Sequence, residues 1–176
     1  MAMTLITTNT SSGAASSSFT SSIDSTYKLY IFKFIDVNPA TDGAEFNFEV
    51  STDGGSNYNL NITAPMFVAY QNEAGDSSNL AYDDTFDTTE STESTIASNV
   101  GNGSDESCAG TLWLFNPSSS TYVKHFYSII NTYHSGDYSQ EVFSGGYINS
   151  TSDVDAIRFK MSAGNMDGVI KMYGVG

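Results

Sequence analysis

The segment AEFNFEV, residues 44–50, alternates strictly: Phe46, Phe48 and Val50 fall on one side, Glu45, Asn47 and Glu49 on the other. Only an extended strand, whose successive side chains point to opposite faces, sorts such a pattern into one dry and one wet surface. NYNLNI (57–62) repeats it, with Tyr58, Leu60 and Ile62 set against Asn57, Asn59 and Asn61. Between them STDGGS offers Gly54 and Gly55 for positive φ, so the pair predicts a β-hairpin with one buried face.

The same reading extends along the chain. TYKLYIFKFIDV (26–37) is apolar on both faces, with Leu29, Ile31 and Ile35 on one and Tyr30, Phe32 and Phe34 on the other. It predicts a strand that is central in its sheet or covered on both sides. MFVAYQN (66–72), GTLWLFN (110–116), TYVKHFYSIINTYH (121–134) and QEVFSGGYIN (140–149) read as further strands, the last with a bulge or sharp bend at Gly145-Gly146. AIRFKMSAGNMDGVIKMYGVG (156–176) reads as a final hairpin. No segment carries a convincing amphipathic-helix period, and aromatic residues reach 13% while good helix formers are scarce. Eight or more strands with polar turns predict an all-β fold, an antiparallel two-sheet sandwich of jelly-roll-like topology.

At 176 residues the chain fits one domain with a core of its own. Residues 1–26 stand apart: positions 4–26 hold fourteen Ser or Thr and no charge before Asp24. They read as an extended N-terminal arm with Leu5, Ile6, Phe19 and Ile23 as docking anchors on a partner, or as a disordered tail. Residues 27–176 form the predicted sandwich, and 73–109 a polar, acidic surface excursion, too long for an ordinary connection and expected to contain short strands or a turn of helix. The N-terminus lacks the basic start and long apolar run of a signal peptide, and no stretch has the length of a membrane-spanning helix. Cys108 is the single cysteine, which excludes an intrachain disulfide.

Charge is distributed unevenly. The net charge is −14, and the interval between Lys33 and Lys124 holds fourteen acidic residues and no basic one. Such a surface repels nucleic acid and keeps a protein soluble. Three of the six basic residues, Arg158, Lys160 and Lys171, lie in the last predicted hairpin, opposite its apolar face of Ile157, Phe159, Met161, Ile170 and Met172. One register sets Phe159 opposite Met172 and Lys160 opposite Lys171; another makes Asp167-Gly168 the turn and slides the pairing. The basic stripe either docks on the acidic face of a neighbouring subunit or is neutralised within the chain by Asp153, Asp155 or Glu49.

Catalytic chemistry finds little support. His125 and His134 are nine apart on one long strand and so point to opposite faces, against a shared metal site. No nucleophile-elbow pattern frames a serine, and no carboxylate pair is singled out for glycoside hydrolysis. Asp83, Asp84 and Asp87 in YDDTFD are weak calcium candidates whose spacing matches no EF-hand, and no cofactor is implied. Tyr82, Trp113, Tyr133 and Tyr138 are possible stacking platforms for sugar rings, set against ordinary packing roles.

Three segments carry a family resemblance: residues 4–55, from TLITTNTSS to STDGG; AGTLWLFNPSSSTYVKHF (109–126); and DAIRFKMSAGNMDGVIKMYGVG (155–176). They resemble small virion structural proteins of marine tailed bacteriophages. That resemblance implies a self-assembling all-β protein of the capsid exterior or tail, located on the outer surface of the virion. Its partners would be copies of itself, a homotrimer being favoured, and other virion proteins. The competing expectation is a host-surface glycan-recognition module of a tail fibre, and a distant third a polysaccharide-degrading enzyme. Neither nucleic acid nor membrane is expected as a partner.

Overall fold

Where apolar and polar residues alternate, the chain is almost everywhere extended in the computed structural model, which describes residues 2–176. Fourteen strands follow in order: β1 (Met3–Ala14), β2 (Ser17–Phe19), β3 (Leu29–Pro39), β4 (Ala44–Ser51), β5 (Ile62–Ala64), β6 (Met66–Asn72) and β7 (Ser78–Tyr82). Then come β8 (Thr88–Ser91), β9 (Ser94–Val100), β10 (Cys108–Phe115), β11 (Lys124–His134), β12 (Tyr138–Ile148), β13 (Ala156–Met161) and β14 (Met166–Val175). There is no helix among the described residues.

All pairings are antiparallel, and one hydrogen-bonded path runs β1-β14-β3-β10-β11-β9-β4-β13-β2. From β11 the sheet also branches into β12, which carries β6 and β7 along one half and β5 and β8 along the other. The path curls into a nearly closed, barrel-like wall. Its thinnest joint is the single bridge between His134 and Val100. Its two ends meet where the Asn9 amide donates to Ser17 Oγ at 3.2 Å and to the Ser18 carbonyl at 2.9 Å.

Rings from opposite walls fill the interior. Phe159 of β13 meets Phe32 and Phe34 of β3 at 5.3 and 5.1 Å between centroids, and Phe48 of β4 meets Phe126 of β11 at 4.8 Å. Edge-to-face and tilted contacts of this kind add to the area burial that drives the collapse. The inward residues of β3, Tyr30, Phe32 and Phe34, are all buried, and β3 is central between β14 and β10, as its two-faced sequence predicts.

Several expectations are corrected. The last two strands are not a hairpin: β13 pairs with β4 and β2, while β14 pairs with β1 and β3 on the facing wall. Turn residues between two alternating strands do not oblige them to pair when each finds a better-matched neighbour further off. For the same reason β4 does not fold back on NYNLNI. Asn57 to Asn61 lie outside any strand, and only Ile62 enters β5. Asp53 organises the intervening turn: it accepts from the Asn57 amide nitrogen and side chain at 2.9 and 2.7 Å and from Ser51 Oγ at 2.7 Å. Those bonds hold its exposed carboxyl at about 2, below the usual range.

The leading segment is no free arm. Residues 3–14 add an edge strand to β14, and β2 adds to β13. Phe19 and Ile23, expected as anchors on a partner, are each only 3% exposed within the chain's own core. Residues 73–109 contain β7, β8 and β9, and β9 delivers Ile96, Ala97 and Val100 to the core. Gly145-Gly146 forms no bulge, since β12 runs in unbroken register with β11 from Ile148 to Tyr138. The backbone approaches closely there instead: a Cβ on Gly146 would lie 2.0 Å from the Thr63 carbonyl oxygen.

Candidate functional site

The side of the sheet turned away from the core is unusually apolar. In the antiparallel registers, Leu5, Tyr173, Ile31, Trp113 and Tyr127 form one row across β1, β14, β3, β10 and β11. Two residues along each strand, a second row reads Lys171, Lys33, Thr111, Ile129, Phe143 and Phe67, reaching β12 and β6. Trp113 stacks on Tyr127 at 4.6 Å, Phe115 on Tyr127 at 5.5 Å, and Phe67 on Phe143 at 4.7 Å with planes 6° apart. Leu5 is 51% exposed, Phe67 47%, Tyr127 43% and Ile35 37%.

Antiparallel sheets ordinarily pair a core face with a solvated polar one. Here the outward positions of β3, β10, β11 and β14 carry rings and branched chains, and a shallow depression of about 290 Å³ opens between Phe67, Tyr127, Ile129 and Phe143. Large exposed apolar patches mark interaction surfaces.

Two lysines interrupt the face. Lys33 and Lys171 are direct cross-strand partners between β3 and β14. Neither joins an ion pair among the described residues. Like charges directly opposite one another weaken a sheet by a few tenths of a kcal/mol unless a carboxylate comes near.

The other two basic residues of the expected stripe are satisfied within the chain. Arg158 donates through Nε to Glu49 at 2.7 Å and pairs with the same carboxylate through its terminal nitrogen. Its guanidinium lies 4.1 Å from the Tyr58 ring centre. Lys160 pairs with Glu49 at 3.4 Å and Glu93 at 2.7 Å. The hydrogen bond to Glu93 holds the Lys160 ammonium above the ordinary lysine range. Of the assembly residues named from sequence, Leu5 and Lys171 reach the outer face, Ile6 packs partly against the core, and Phe19, Ile23, Arg158 and Lys160 serve the chain's own fold.

A second, polar cavity of about 500 Å³ lies where the ends of β6, β11 and β12 meet the loop before β10, lined among others by Glu73, Asp105, Asn131 and Tyr133. The Tyr133 hydroxyl donates to Glu73 at 3.3 Å, and the negative charge of Glu73 raises the phenol's pKa. The four aromatic candidates do not converge. Only Tyr133 lines this cavity; Trp113 lies on the outer face, Tyr82 of edge strand β7 ends its second row as the partner of Phe67, and Tyr138 stacks on His134 at 4.0 Å.

The acidic segment builds no cation cage. Asp87 accepts from the Met66 amide at 2.8 Å and from the Tyr82 hydroxyl, and Asp83 from the Thr85 amide at 3.2 Å. Among the described residues no three His, Cys, Asp or Glu side chains gather to hold a metal ion, so Asp83, Asp84 and Asp87 stay separate. His125 and His134 do face opposite sides of β11, and burial lowers the pKa of His134.

Sequence reasoning missed the outer face as a unit. The signals were present in the two-sided apolarity of TYKLYIFKFIDV and in Trp113 and Phe115 of GTLWLFN, but strand order was needed to set them side by side. It also missed Lys124, which is buried and donates to the Ser119 and Ser150 carbonyls at 2.7 and 3.0 Å, joining two loops; burial lowers its pKa.

Fold and site together define an antiparallel all-β protein with an acidic composition and an unpartnered aromatic sheet face. Among known proteins the chain matches no family model, no curated protein and no solved structure.

Proposed function

We propose that this chain is a structural component of a phage virion exterior, a capsid-decoration or tail-associated subunit that works by assembling rather than by catalysis. The observation that carries the reading is the outer face around Trp113 and Tyr127, whose rings stand where a free-standing domain would present polar groups. An assembly subunit needs such a face, and a net charge of −14 suits a surface held away from packaged DNA. The resemblance of residues 4–55, 109–126 and 155–176 to marine phage virion proteins points the same way. The finer fold reading that accompanies it is a jelly-roll-like sandwich, with β1-β14-β3-β10-β11 as one layer and β2-β13-β4-β9 as the other, meeting at the His134–Val100 bridge and at the Asn9 contacts with Ser17 and Ser18.

Mass spectrometry of purified phage particles, with immunogold labelling for position, tests the proposal. The chain is expected at stoichiometric copy number on the outside of the particle. Its absence from particles that are otherwise complete would remove the reading.

The polar cavity favours a second reading, a glycan-recognition module. Tyr133 offers a ring, and Glu73, Asp105 and Asn131 offer acceptors and donors for sugar hydroxyls. A glycan array run with wild type and Tyr133→Ala decides: binding lost in the variant supports the module, and no binding by wild type at millimolar sugar removes it.

A further inference from the structure

We propose that the outer face of the long sheet is occupied by a second copy of this chain, so that the protein is an oligomer before it meets any other virion component. The inference rests on the assembly reading above and names the partner.

Size is the first argument. Eight strands, β1, β14, β3, β10, β11, β12, β6 and β7, lie side by side. At about 4.8 Å between strands and about 3.3 Å per residue over some seven residues, they present a face of roughly 800 Å². A stable complex buries about 800 Å² on each partner, so one copy covering this face would meet that requirement without help. The composition is also that of an interface centre: a Trp and several Tyr and Phe side chains already ordered by stacking on one another, which lose little rotamer freedom on docking.

Charge complementarity selects the occupant. The face bears two cations, Lys33 and Lys171, side by side and without carboxylate partners among the described residues. Burying them against an apolar partner would strand both charges at a cost of several kcal/mol. They require a partner with carboxylates to spare. This chain has twenty acidic residues against six basic ones, and Arg158 and Lys160 already consume Glu49 and Glu93. A second copy, with its excess of acidic residues, therefore carries carboxylates able to neutralise the lysine pair. If the contact joins this face to a different surface of the next copy, successive copies form a ring where the rotation between them closes.

The chain contains its own reporter, because Trp113 is the single tryptophan and lies in the middle of the face. Light scattering and sedimentation of the purified full chain give the mass, and Trp113 emission is followed on dilution. The expected result is an oligomer whose emission moves to longer wavelength as it dissociates. A Phe67→Lys/Tyr127→Lys variant is expected to raise the dissociation constant at least about 100-fold, as loss of interface anchors does. Both side chains point outward, so folding should survive. If it does not, Lys33→Glu/Lys171→Glu, which opposes acid to acid, is expected to give the same loss, and the dilution series on wild type needs no variant at all. A wild-type chain that is monomeric at about 100 µM, weaker than any useful self-affinity, overturns the proposal. An oligomer untouched by the substitutions overturns the assignment of this face. A monomeric chain found on particles would leave the virion reading standing and give the face to another virion protein. An oligomer absent from particles would do the reverse.

Discussion

Arg158 of β13 and Glu49 of β4 are direct cross-strand partners, and the guanidinium holds a carboxylate that is almost wholly shielded from water. A buried carboxylate costs several kcal/mol in lost hydration unless its lone pairs are filled, and here Arg158 and Lys160 fill them. The sequence leaves two uses open for these cations, a docking stripe or neutralisation within the chain with Glu49 among the partners. The fold spends them inside.

Substitution at this pair should therefore register as stability. Glu49→Ala is expected to cost about 2–3 kcal/mol, at or just below the lower end of the range for a broken buried pair because Arg158 and Lys160 keep partial solvent access. Urea denaturation of Glu49→Ala, Arg158→Ala and the double variant provides the measure. Additive effects would mean that the pair contributes no coupling.

Phe19 tests whether the leading segment belongs to the fold. Its ring packs against Phe32 at 5.4 Å and Phe159 at 6.2 Å. Phe19→Ala should cost about 3–5 kcal/mol. Thr10→Ala, on the exposed part of the same segment, should change stability by less than about 0.5 kcal/mol. Equal, small effects at both positions would mean that the segment is dispensable.

Gly146 sits where β5 crosses close to β12. An added Cβ would meet the Thr63 carbonyl oxygen at 2.0 Å and the Ala64 Cβ at 2.7 Å, both on or next to backbone. Gly146→Ala is expected to destabilise by about 3 kcal/mol or more, a severe overpacking effect. Gly145→Ala, whose nearest contact is Tyr127 Cβ at 3.0 Å, should cost clearly less. Thermal melts of the two variants rank them.

Cys108 makes stability depend on pH in the alkaline range. Burial pushes its thiol from 9.0 up to about 12. Above pH 9 the unfolded chain releases this proton while the folded chain keeps it, so stability falls as pH rises between 9 and 12, and below 9 the contribution is fully present. The slope approaches about 1.4 kcal/mol per pH unit from this group alone. Lysines and tyrosines titrate in the same range, so the comparison is with Cys108→Ala, whose curve should fall less steeply above pH 9. Parallel curves would contradict the buried assignment, as would rapid labelling of the native thiol by a disulfide reagent.

How far the fold was legible follows from which forces act locally. Alternation in AEFNFEV and the double-sided apolarity of TYKLYIFKFIDV name β4 and β3 because a strand's period of two depends on backbone geometry alone. Pairing is different. The alternation of AIRFKM (156–161) and of 166–175 is equally compatible with a hairpin and with two strands on facing walls. Total burial of Phe159 against Phe32, Phe34 and Phe46 settles it. Phe19 reads as part of a polar arm because fourteen Ser and Thr in its neighbourhood mask a single ring that the core needs.

By itself, then, the sequence determined the all-β class, the positions of most strands, the inward and outward faces of strands such as 44–50 and 156–161, and the acidic character of the whole, since all of these depend on neighbours within a few residues. Only the tertiary structure decided that Arg158 and Lys160 close on Glu49, that residues 3–14 are a strand, and that Leu5, Tyr173, Ile31, Trp113 and Tyr127 share one row. Those outcomes join residues far apart along the chain. They come from the collective burial of aromatic surface, which no single segment can encode.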